Sequence, residues 1–560
     1  MRLSLPVGSE NFSEIRENGQ YYVDKTGFIE ELLIRNFKVN LFTRPRRFGK
    51  TLMMSMLAAF LDIEKKSEDL FEGLSISKNV QICNAWMNQY PVIFLTLKAV
   101  EGLHYQSAYE MLRFIISDWC MSHYFLKTST NLKPEDKELF TRFVKKDVTE
   151  EELKNSLYTL SKFMKLHYGK SVIILIDEYD VPLAKAGEKG YYEEMMDFIR
   201  IFLGTALKTN EYLKFAVITG CLRIVKESIF TGLNNFVSNS ISSDRYSQYF
   251  GFMEPEVLEL LKIAELESYA DEMKRWYNGY RFGKTDMYCP WDVLNYVSDL
   301  QDSKDAFPGN YWKNTSHNGI IRSFIDRTDL VVNHKFETLL SGGYIQEKIT
   351  EDLTYDVLHS SEQNLWSILY MTGYLTKVKP EQIADVLPLE HGKTYLKIPN
   401  EEIKSIFEET IATWFADTMQ QSDRKVLFEA FWDGNDERVT KIISDILFET
   451  ISYYDYKEDY YHAFLAGIFT GAGYAVESNK EYGLGRPDVV VKDRKHRCVI
   501  IIEVKHSKNE DCMETDAKTA MEQIDVKQYA KQFLKGYRTV MCYGAAFFEK
   551  DCVIRRVCDK

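Results

Sequence analysis

Three groups of residues in this 560-residue sequence have the types and spacing that phosphate chemistry requires. In the first group, RPRRFGKT ends in Gly49, Lys50 and Thr51, as a Gly-x-x-x-x-Gly-Lys-[Ser/Thr] phosphate loop does, although Arg44 replaces the first glycine. Gly49 would let the backbone approach the phosphates, Lys50 would reach the β- and γ-phosphates, and the Thr51 hydroxyl would bind Mg²⁺. Cationic charge where a triphosphate would lie comes also from Arg44, Arg46 and Arg47.

The second group lies at the end of the apolar run SVIILIDEYD, where Asp177 and Glu178 follow a predicted buried strand. This is the Walker B pattern: Asp177 would hold Mg²⁺, and Glu178 would orient or deprotonate the attacking water. Thr219, at the end of the strand LKFAVIT, would either sense the γ-phosphate or simply be a polar strand terminus. The alternative for both motifs is a basic turn before a core helix and a strand whose acids cap the next loop.

The third group is Asp488, Glu503 and Lys505, spaced D-x14-E-x-K on two predicted strands, 487–491 and 498–504. With a hairpin loop over 493–496, Asp488 pairs near Ile501 and the three polar side chains share one face. A carboxylate among isoleucines is costly without a partner, and a divalent cation is one such partner. Oxygen ligands favour Mg²⁺ or Mn²⁺, which would activate water for phosphodiester hydrolysis. The alternative is an exposed hairpin face with a salt bridge.

Strand-like runs alternating with helical stretches must position the first two groups. The runs 38–43, 91–97, 171–177 and 213–219 predict a mostly parallel sheet with helices on both faces. Ligands of such sheets bind at the carboxyl ends of the strands, where the motif residues fall. From Gly251 onward the sequence reads as mainly helical, with winged-helix-like features, and its aromatic residues around Trp276 and Trp291 predict core packing more than base stacking.

Composition excludes disordered and fibrous classes, since the chain is 45% hydrophobic and 27% charged. The net charge of −13 is unevenly spread: residues 1–60 carry +3, residues 61–460 carry −19 and residues 461–560 carry +3. A polyanionic ligand at either end is therefore compatible with the charge. Without an apolar leader, a run of about 20 apolar residues or a CxxC pair, the sequence predicts a cytoplasmic protein with no membrane contact.

The first 300 residues resemble the bacterial AAA-ATPase-like family. The resemblance rests on VDKTGFIEELL, LFTRPRRFGKTL, LIDEYDVPL, FAVITGCLRIVKESIFTGLNNF, RWYNGYRFG and YCPWDVLNY. The RPRRFGKT form of the phosphate loop recurs in that family, so Arg44 is a family feature. The resemblance implies ATP binding. In such ATPases a neighbouring subunit often supplies an arginine finger, so a homo-oligomer is possible, and Arg223 and Arg245 are guesses for the finger.

The last hundred residues resemble the PD-(D/E)XK nuclease superfamily, because Pro487-Asp488 and Glu503-Val504-Lys505 match its motif. The resemblance implies a restriction-endonuclease-like α/β domain. It also implies an upstream acid, for which Glu481 fits the lead-in NKEYGLGRPD better than Glu477. Gln523, in AMEQIDVKQYA, matches a glutamine that supports such sites.

Together these readings predict an α/β P-loop domain over 1–250, a helical, winged-helix-like lid over 251–390, a helical bridge over 391–454 and a nuclease-like domain over 455–560. The expected function is an ATP-binding, ATP-hydrolysing protein whose nucleotide state controls a Mg²⁺- or Mn²⁺-dependent nuclease acting on DNA rather than RNA. One alternative is an ATPase switch whose C-terminal domain binds nucleic acid or protein without cutting. Another is an interaction protein in which both sites have decayed.

Overall fold

The computed structural model divides the protein into two compact units. Unit 1 comprises residues 1–311 and 346–400, and unit 2 comprises residues 312–345 and 401–560. The structure describes residues 2–223, 236–312, 335–336, 338–351, 353, 362–383, 389–419, 425–450, 458–478, 485–534 and 536–556.

The described residues contain both helices and strands throughout. The helices are α1 (Phe12–Glu17), α2 (Gly27–Arg35), α3 (Lys50–Leu61), α4 (Glu68–Phe71), α5 (Val80–Trp86), α6 (Tyr105–Ser122), α7 (Pro134–Lys145), α8 (Glu150–Lys154), α9 (Ser156–Tyr168), α10 (Val181–Lys189), α11 (Tyr192–Leu207), α12 (Glu254–Ile263), α13 (Ala270–Tyr277), α14 (Pro290–Asp302), α15 (Glu362–Met371), α16 (Glu401–Met419), α17 (Lys425–Asp433), α18 (Asp436–Thr450), α19 (Glu458–Gly471) and α20 (Glu510–Val526). The strands are β1 (Val39–Thr43), β2 (Val92–Thr96), β3 (Val172–Asp177), β4 (Leu213–Gly220), β5 (Phe236–Asn239), β6 (Tyr280–Phe282), β7 (Thr285–Met287), β8 (Ile345–Glu347), β9 (Thr376–Lys377), β10 (Thr394–Lys397), β11 (Ala475–Ser478), β12 (Val489–Asp493), β13 (Cys498–His506), β14 (Thr539–Phe548) and β15 (Asp551–Arg556).

A five-stranded parallel sheet with the order β2-β3-β4-β1-β5 forms the centre of unit 1. Every residue of β1 and β3 is buried. A parallel strand buried along its whole length needs helices on both faces of its sheet, which is why these strands are continuous apolar runs rather than alternating ones. The predicted parallel sheet is confirmed, and its strands begin and end within about two residues of the predicted bounds.

The segment after the parallel sheet is mainly helical, as predicted. Two small sheets interrupt it: the hairpin β6–β7 and a three-stranded sheet with the order β8-β10-β9. Glycine permits one close approach here, since Gly279 has a φ of 105° and a Cβ at this residue would lie 2.0 Å from the Pro399 carbonyl oxygen. The hairpin and the chain beside β10 therefore lie in direct backbone contact.

Unit 2 is built on a mixed sheet with the order β11-β12-β13-β14-β15, in which only the β13–β14 pair is parallel. Helix α20 packs on β13, β14 and β15. From the other helices, the Tyr461 ring of α19 stacks on Phe547 at 4.4 Å, and the Tyr543 hydroxyl donates to the Phe431 carbonyl of α17 at 2.5 Å. The predicted C-terminal α/β fold is confirmed.

In the part of the chain that the structure describes, each helix is too short or too polar to cross a membrane. Helices α16, α17 and α18, predicted as a bridge, belong to the same compact unit as the C-terminal sheet. The bounds of the four predicted domains stay a prediction.

Candidate functional sites

The phosphate-loop motif forms the turn between β1 and α3, at the carboxyl end of the parallel sheet. Gly49 is the N-cap of α3 with a left-handed φ of 77°, and Arg47 also has a positive φ of 66°. Glycine adopts this backbone without strain, which lets the loop turn sharply into the helix. The first turn of α3 therefore presents its backbone N–H groups and positive dipole end beside Lys50 and Thr51, as anion binding requires.

Lys50 is buried, with 3% of its side chain exposed, and its ammonium is held by the loop and by Walker B. Its Nζ donates to the carbonyl oxygens of Arg44 and Pro45 at 3.2 and 3.1 Å and lies 3.5 Å from the Glu178 carboxylate. Burial acts to lower the pKa of Lys50, but the Cys221 sulfur and the carboxylates around it outweigh burial and raise the pKa. The lysine is therefore cationic at physiological pH.

Asp177 joins three of the predicted residues into one network. Its carboxylate accepts hydrogen bonds from the Thr51 hydroxyl at 2.8 Å and from the Thr219 hydroxyl at 2.5 Å. The strand order explains this, because β4 lies between β1 and β3 and brings Thr219 beside Asp177. Burial and the nearby Glu178 raise the pKa of Asp177. A cation beside this carboxylate would offset the cost of its buried charge.

Glu178 and Asp180 shape the turn after β3. Glu178 has a φ of 55°, an uncommon conformation for a residue with a side chain, and this turn directs its carboxylate to Lys50. Asp180 is buried and accepts the backbone N–H groups of Cys221 and Leu222, both at 2.9 Å. Burial and the Glu178 charge raise the pKa of Asp180 to about 6. Sequence reasoning missed Asp180, although its position three residues after Asp177 was a usable signal.

A cavity in unit 1 opens beside the phosphate loop. Residues of the loop and of α3 line it together with Glu178. Its other walls come from the segments 6–10 and 21–25, from 249–252 and from Trp291. Sequence reasoning assigned none of these three segments to the site, and it favoured core packing for Trp291. The Arg47 guanidinium lies 4.6 Å above the Trp291 ring and donates to the Tyr311 carbonyl. Trp291 thus anchors the loop as well as lining the cavity.

Arg44 does not line this cavity, in contrast to the expectation that its charge would lie at a triphosphate. Its side chain is fully buried between the Phe250 and Phe282 rings, at 4.9 and 5.4 Å. It donates to the carbonyl oxygens of Thr43 and Asn239, at 2.8 and 2.7 Å. Burial lowers the pKa of Arg44 to about 9. The placement ties the loop to the edge strand β5 and to β6.

The two guesses for an arginine finger also lie against rings of unit 1. The Arg223 guanidinium is 5.9 Å from the Phe236 ring, and that of Arg245 is 5.8 Å from the Phe37 ring. Neither residue lines the cavity beside the phosphate loop. An arginine finger stays a prediction.

In unit 2 the β12–β13 hairpin has a different register from the expected one. The pairs run from Val489 with Ile502 to Asp493 with Cys498, so Asp488 lies at the level of Glu503 rather than of Ile501. The physical reason is the turn, in which the Asp493 carboxylate accepts from the backbone and ring nitrogens of His496 at 2.9 and 2.7 Å. A shift of two residues keeps the predicted face, since side chains alternate with period two.

The predicted nuclease residues lie together on that face. The Asp488 carboxylate accepts the Val504 N–H at 2.7 Å, and the Lys505 ammonium is 3.8 Å from the Glu503 carboxylate. The Gln523 amide of α20 donates to Glu503, whose side chain is only 2% exposed. A strand pair and one helix thus bring two carboxylates, a lysine and an amide to one place, as the motif predicts.

Tyr529 belongs to this cluster and was missed from the sequence. Its side chain is buried, and its hydroxyl donates to the Arg486 carbonyl at 3.3 Å. Burial and the charges of Glu503 and Asp488 raise the pKa of Tyr529. Its separation of six residues from Gln523, across the end of α20, gave no periodic signal in the sequence.

The upstream acid is the part of the predicted site that stays open. Glu481 lies outside the described residues. Glu477 pairs with Val490 across β11 and β12. At 2.5 Å its carboxylate binds Lys492, which lies two residues beyond Val490 along the strand, whereas Asp488 lies two residues before it. Over the ranges that the structure describes, groups of three or more acidic, His or Cys side chains able to hold a metal ion are absent.

Comparison with known proteins agrees with this division of chemistry along the chain. Residues 6–230 match the family model described as predicted AAA-ATPase, and residues 456–557 match that of the PD-(D/E)XK nuclease superfamily. The chain is also 25% identical, over 98% of its length and 96% of the relative's, to an uncharacterized protein in the vnfD 5′ region of Azotobacter chroococcum mcd 1. The chain therefore has the architecture that its motifs predict, an AAA-ATPase-like domain followed by a domain of the PD-(D/E)XK nuclease superfamily.

Proposed function

We propose that unit 1 binds and hydrolyses ATP with Mg²⁺, and that its nucleotide state controls a Mg²⁺- or Mn²⁺-dependent nuclease in unit 2 that acts on DNA. One observation carries this proposal. Each unit brings a lysine and carboxylates together: Lys50 with Glu178, more than a hundred residues away, and Lys505 and Glu503 with Asp488 across a hairpin.

In unit 1 the ammonium of Lys50 and the first N–H groups of α3 would bind the phosphates, in exchange for the loop carbonyls that Lys50 now contacts. The Thr51 hydroxyl and the Asp177 carboxylate supply hard oxygen ligands 2.8 Å apart, which suits Mg²⁺. Bound Mg²⁺ would neutralise charge on the phosphate oxygens. Glu178 would then orient water, and Thr219 would report the γ-phosphate through Asp177.

In unit 2 the carboxylates of Asp488 and Glu503 would hold the divalent cation, with Gln523 fixing the orientation of Glu503. Two carboxylates, of which Glu503 is buried and Asp488 half-buried, are hard oxygen ligands that fit Mg²⁺ or Mn²⁺ better than zinc. The bound cation would lower the pKa of its water. Lys505 would position that water, and its positive charge would stabilise charge developing on the phosphate.

Two substitutions test the two halves of the proposal. Lys50→Ala should abolish ATP binding measured by calorimetry, whereas Lys65→Ala, which removes an exposed lysine, should leave the affinity unchanged. Asp488→Asn keeps an acceptor for the Val504 N–H but removes a metal ligand, so cutting of DNA with Mg²⁺ or Mn²⁺ should cease; Asp511→Asn, at an exposed residue of α20, is its control. Unchanged ATP affinity, or unchanged cutting, in the site variant would contradict the assignment.

The second candidate function is an ATPase switch whose C-terminal domain binds nucleic acid or protein without cutting. The observation that favours it is the binding of Glu477 to Lys492, which leaves two predicted acidic ligands rather than three among the described residues of unit 2. Cutting that Lys505→Ala abolishes would exclude this candidate, and DNA binding without cutting by the wild-type chain in Mg²⁺ and in Mn²⁺ would favour it.

A further inference from the structure

A second concave site of unit 1 is lined mainly by cations. The basic pocket is defined here by six such side chains: Lys274, Arg275, Arg281, Lys377, Lys379 and Lys397. Among the described residues that line it, Asp286 is the one acid. The six residues come from α13, β6, β9 and β10 and from the turn after β9, so the fold collects them from two sequence segments, 274–281 and 377–397.

The carboxylates near the basic pocket compensate part of its charge. Glu254 lies 2.7 Å from the Lys274 ammonium, and Glu272 lies 3.8 Å from the Arg275 guanidinium. Asp286 is shared, since it lies 3.4 Å from the Arg281 guanidinium and also contacts the Lys379 ammonium. Within the described ranges, Lys377 and Lys397 have no carboxylate within 4.0 Å: the first donates to the Ser242 hydroxyl at 2.9 Å and the second to the Gln382 amide oxygen at 3.1 Å.

Burial makes these two lysines costly. It lowers the pKa of Lys377, and it lowers the pKa of Lys397 together with the like charge of Lys379. Residues 61–460 carry a net charge of −19, yet this pocket within them holds six cations close together. Such an arrangement is relieved by an anionic ligand that brings several negative oxygens.

The other lining residues indicate which anion fits. Asn278 and Gln382 offer amide donors, which commonly bind phosphate oxygens. Gly279 and Pro399 add little apolar surface, and the lining residues that the structure describes include no aromatic ring. The lining therefore suits a ligand recognised by charge and by hydrogen bonds to oxygens, not by base stacking or by an apolar side chain.

We propose that the basic pocket binds the phosphates of a polynucleotide backbone, which gives unit 1 a nucleic-acid contact of its own. This goes beyond the proposed function, on which it rests only for the choice of DNA as the polynucleotide. The hairpin β6–β7 links this contact to the phosphate loop. Arg281 faces the pocket, whereas its neighbours Tyr280 and Phe282 pack on Phe48 of the loop, with ring centroids 4.9 and 5.0 Å apart.

The test measures binding without cutting. Full-length protein carrying Asp488→Asn is titrated into fluorescently labelled double-stranded DNA in EDTA, at several salt concentrations, and anisotropy is recorded. Lys377→Gln with Lys397→Gln should weaken binding about tenfold and make the slope of log K against log [salt] shallower by about two, because each lost phosphate contact removes about one counterion. The charge-matched control, Lys65→Gln with Lys66→Gln, changes two exposed lysines and should change neither quantity.

A second pair guards against misfolding of the first. The side chains of Arg275 and Lys379 are 52% and 42% exposed, so neutralising both to Gln should leave the thermal transition intact and reduce the slope in the same way. Unchanged affinity and slope in both pairs, or no DNA binding by the parent protein, overturns the proposal.

A poly-glutamate of matching charge is titrated in the same way. If the parent protein binds it as tightly as DNA, and both pairs of substitutions weaken that binding, the pocket binds an acidic peptide and the proposal is overturned. Failure of the proposed function looks different. DNA that is bound through the pocket but never cut by the wild-type chain refutes the nuclease and leaves the pocket assignment standing.

Discussion

The substitution Gly544→Ala adds one methyl group between the sheet and helix α20 of the nuclease-like site, and so tests whether their close packing positions the site residues. Gly544 pairs with Glu503 across β13 and β14 and faces α20, the helix that carries Gln523. A Cβ at this position would lie 2.3 Å from the Ala517 carbonyl oxygen and 2.7 Å from Cγ of Met521. Ordinary contact begins at 3.4 Å, so Gly544→Ala must push α20 away from the sheet by about 1 Å.

Two effects of different size follow from that displacement. Overpacking of this kind costs about 1–3 kcal/mol, which in a domain of this size lowers the unfolding midpoint by roughly 2–12 °C. A shift of about 1 Å also moves Gln523 away from Glu503, and misplacement by that distance can reduce a rate about a hundredfold. Metal-dependent cutting by Gly544→Ala should therefore fall much more than its stability does.

Scanning calorimetry of the full chain and a DNA-cutting assay with Mg²⁺ measure the two effects. Gly536→Ala is the matched control, because a Cβ there meets no atom within 4 Å. If Gly544→Ala has the same unfolding midpoint and the same cutting rate as Gly536→Ala, α20 is not held at the sheet by this close approach, and the assigned role of Gln523 is wrong.

Three further predictions concern unit 1. A Cβ at Gly220 would lie 2.6 Å from the Asp180 carboxylate, so Gly220→Ala should weaken ATP binding, measured by calorimetry. Gly204→Ala is the control, because a Cβ there has open space around it. Equal ATP affinities of the two variants would contradict the geometry. The pKa of Asp180 rises from 3.8 to about 6 in the folded chain, which therefore binds this proton more tightly than the unfolded chain, so the stability should fall as the pH rises from about 4 to 6. Thermal midpoints of Asp180→Asn should fall less over this pH range than those of the wild-type chain. The same pH dependence in both proteins would contradict the burial of Asp180. The Lys25 ammonium lies 2.6 Å from the Glu256 carboxylate, with 9% and 18% of the side chains exposed, so Lys25→Met should lower the free energy of unfolding by about 3 kcal/mol, and Lys25→Met with Glu256→Leu by less. Denaturant titration decides this last case, and a double variant as unstable as the single one would show that the lost charge pairing is not the cause.

Sequence patterns predicted the parallel sheet and its motifs because both depend on local order. A buried strand, a glycine turn and an apolar helix follow one another within about 25 residues around Lys50, and β3 ends at Asp177 as its apolar run does. The contact between Thr219 and Asp177 needed the strand order as well, since only the position of β4 between β1 and β3 brings them together.

What the sequence did not predict depends on distant partners. Arg44 turns inward because Phe250 and Phe282, more than 200 residues away, form its cage. The hairpin register was two residues off because the His496–Asp493 contact moves the turn. The basic pocket could not be seen in a segment with a charge of −19, because its cations converge only after folding.

The central claim is that nucleotide binding in unit 1 controls cutting in unit 2. The most direct test is the rate of DNA cutting with Mg²⁺, measured with and without ATP, for the wild-type chain, Lys50→Ala and Lys505→Ala. We predict that ATP changes the wild-type rate, that Lys50→Ala cuts at one rate under both conditions, and that Lys505→Ala does not cut. A wild-type rate that is independent of ATP, or cutting by Lys505→Ala, would contradict the claim.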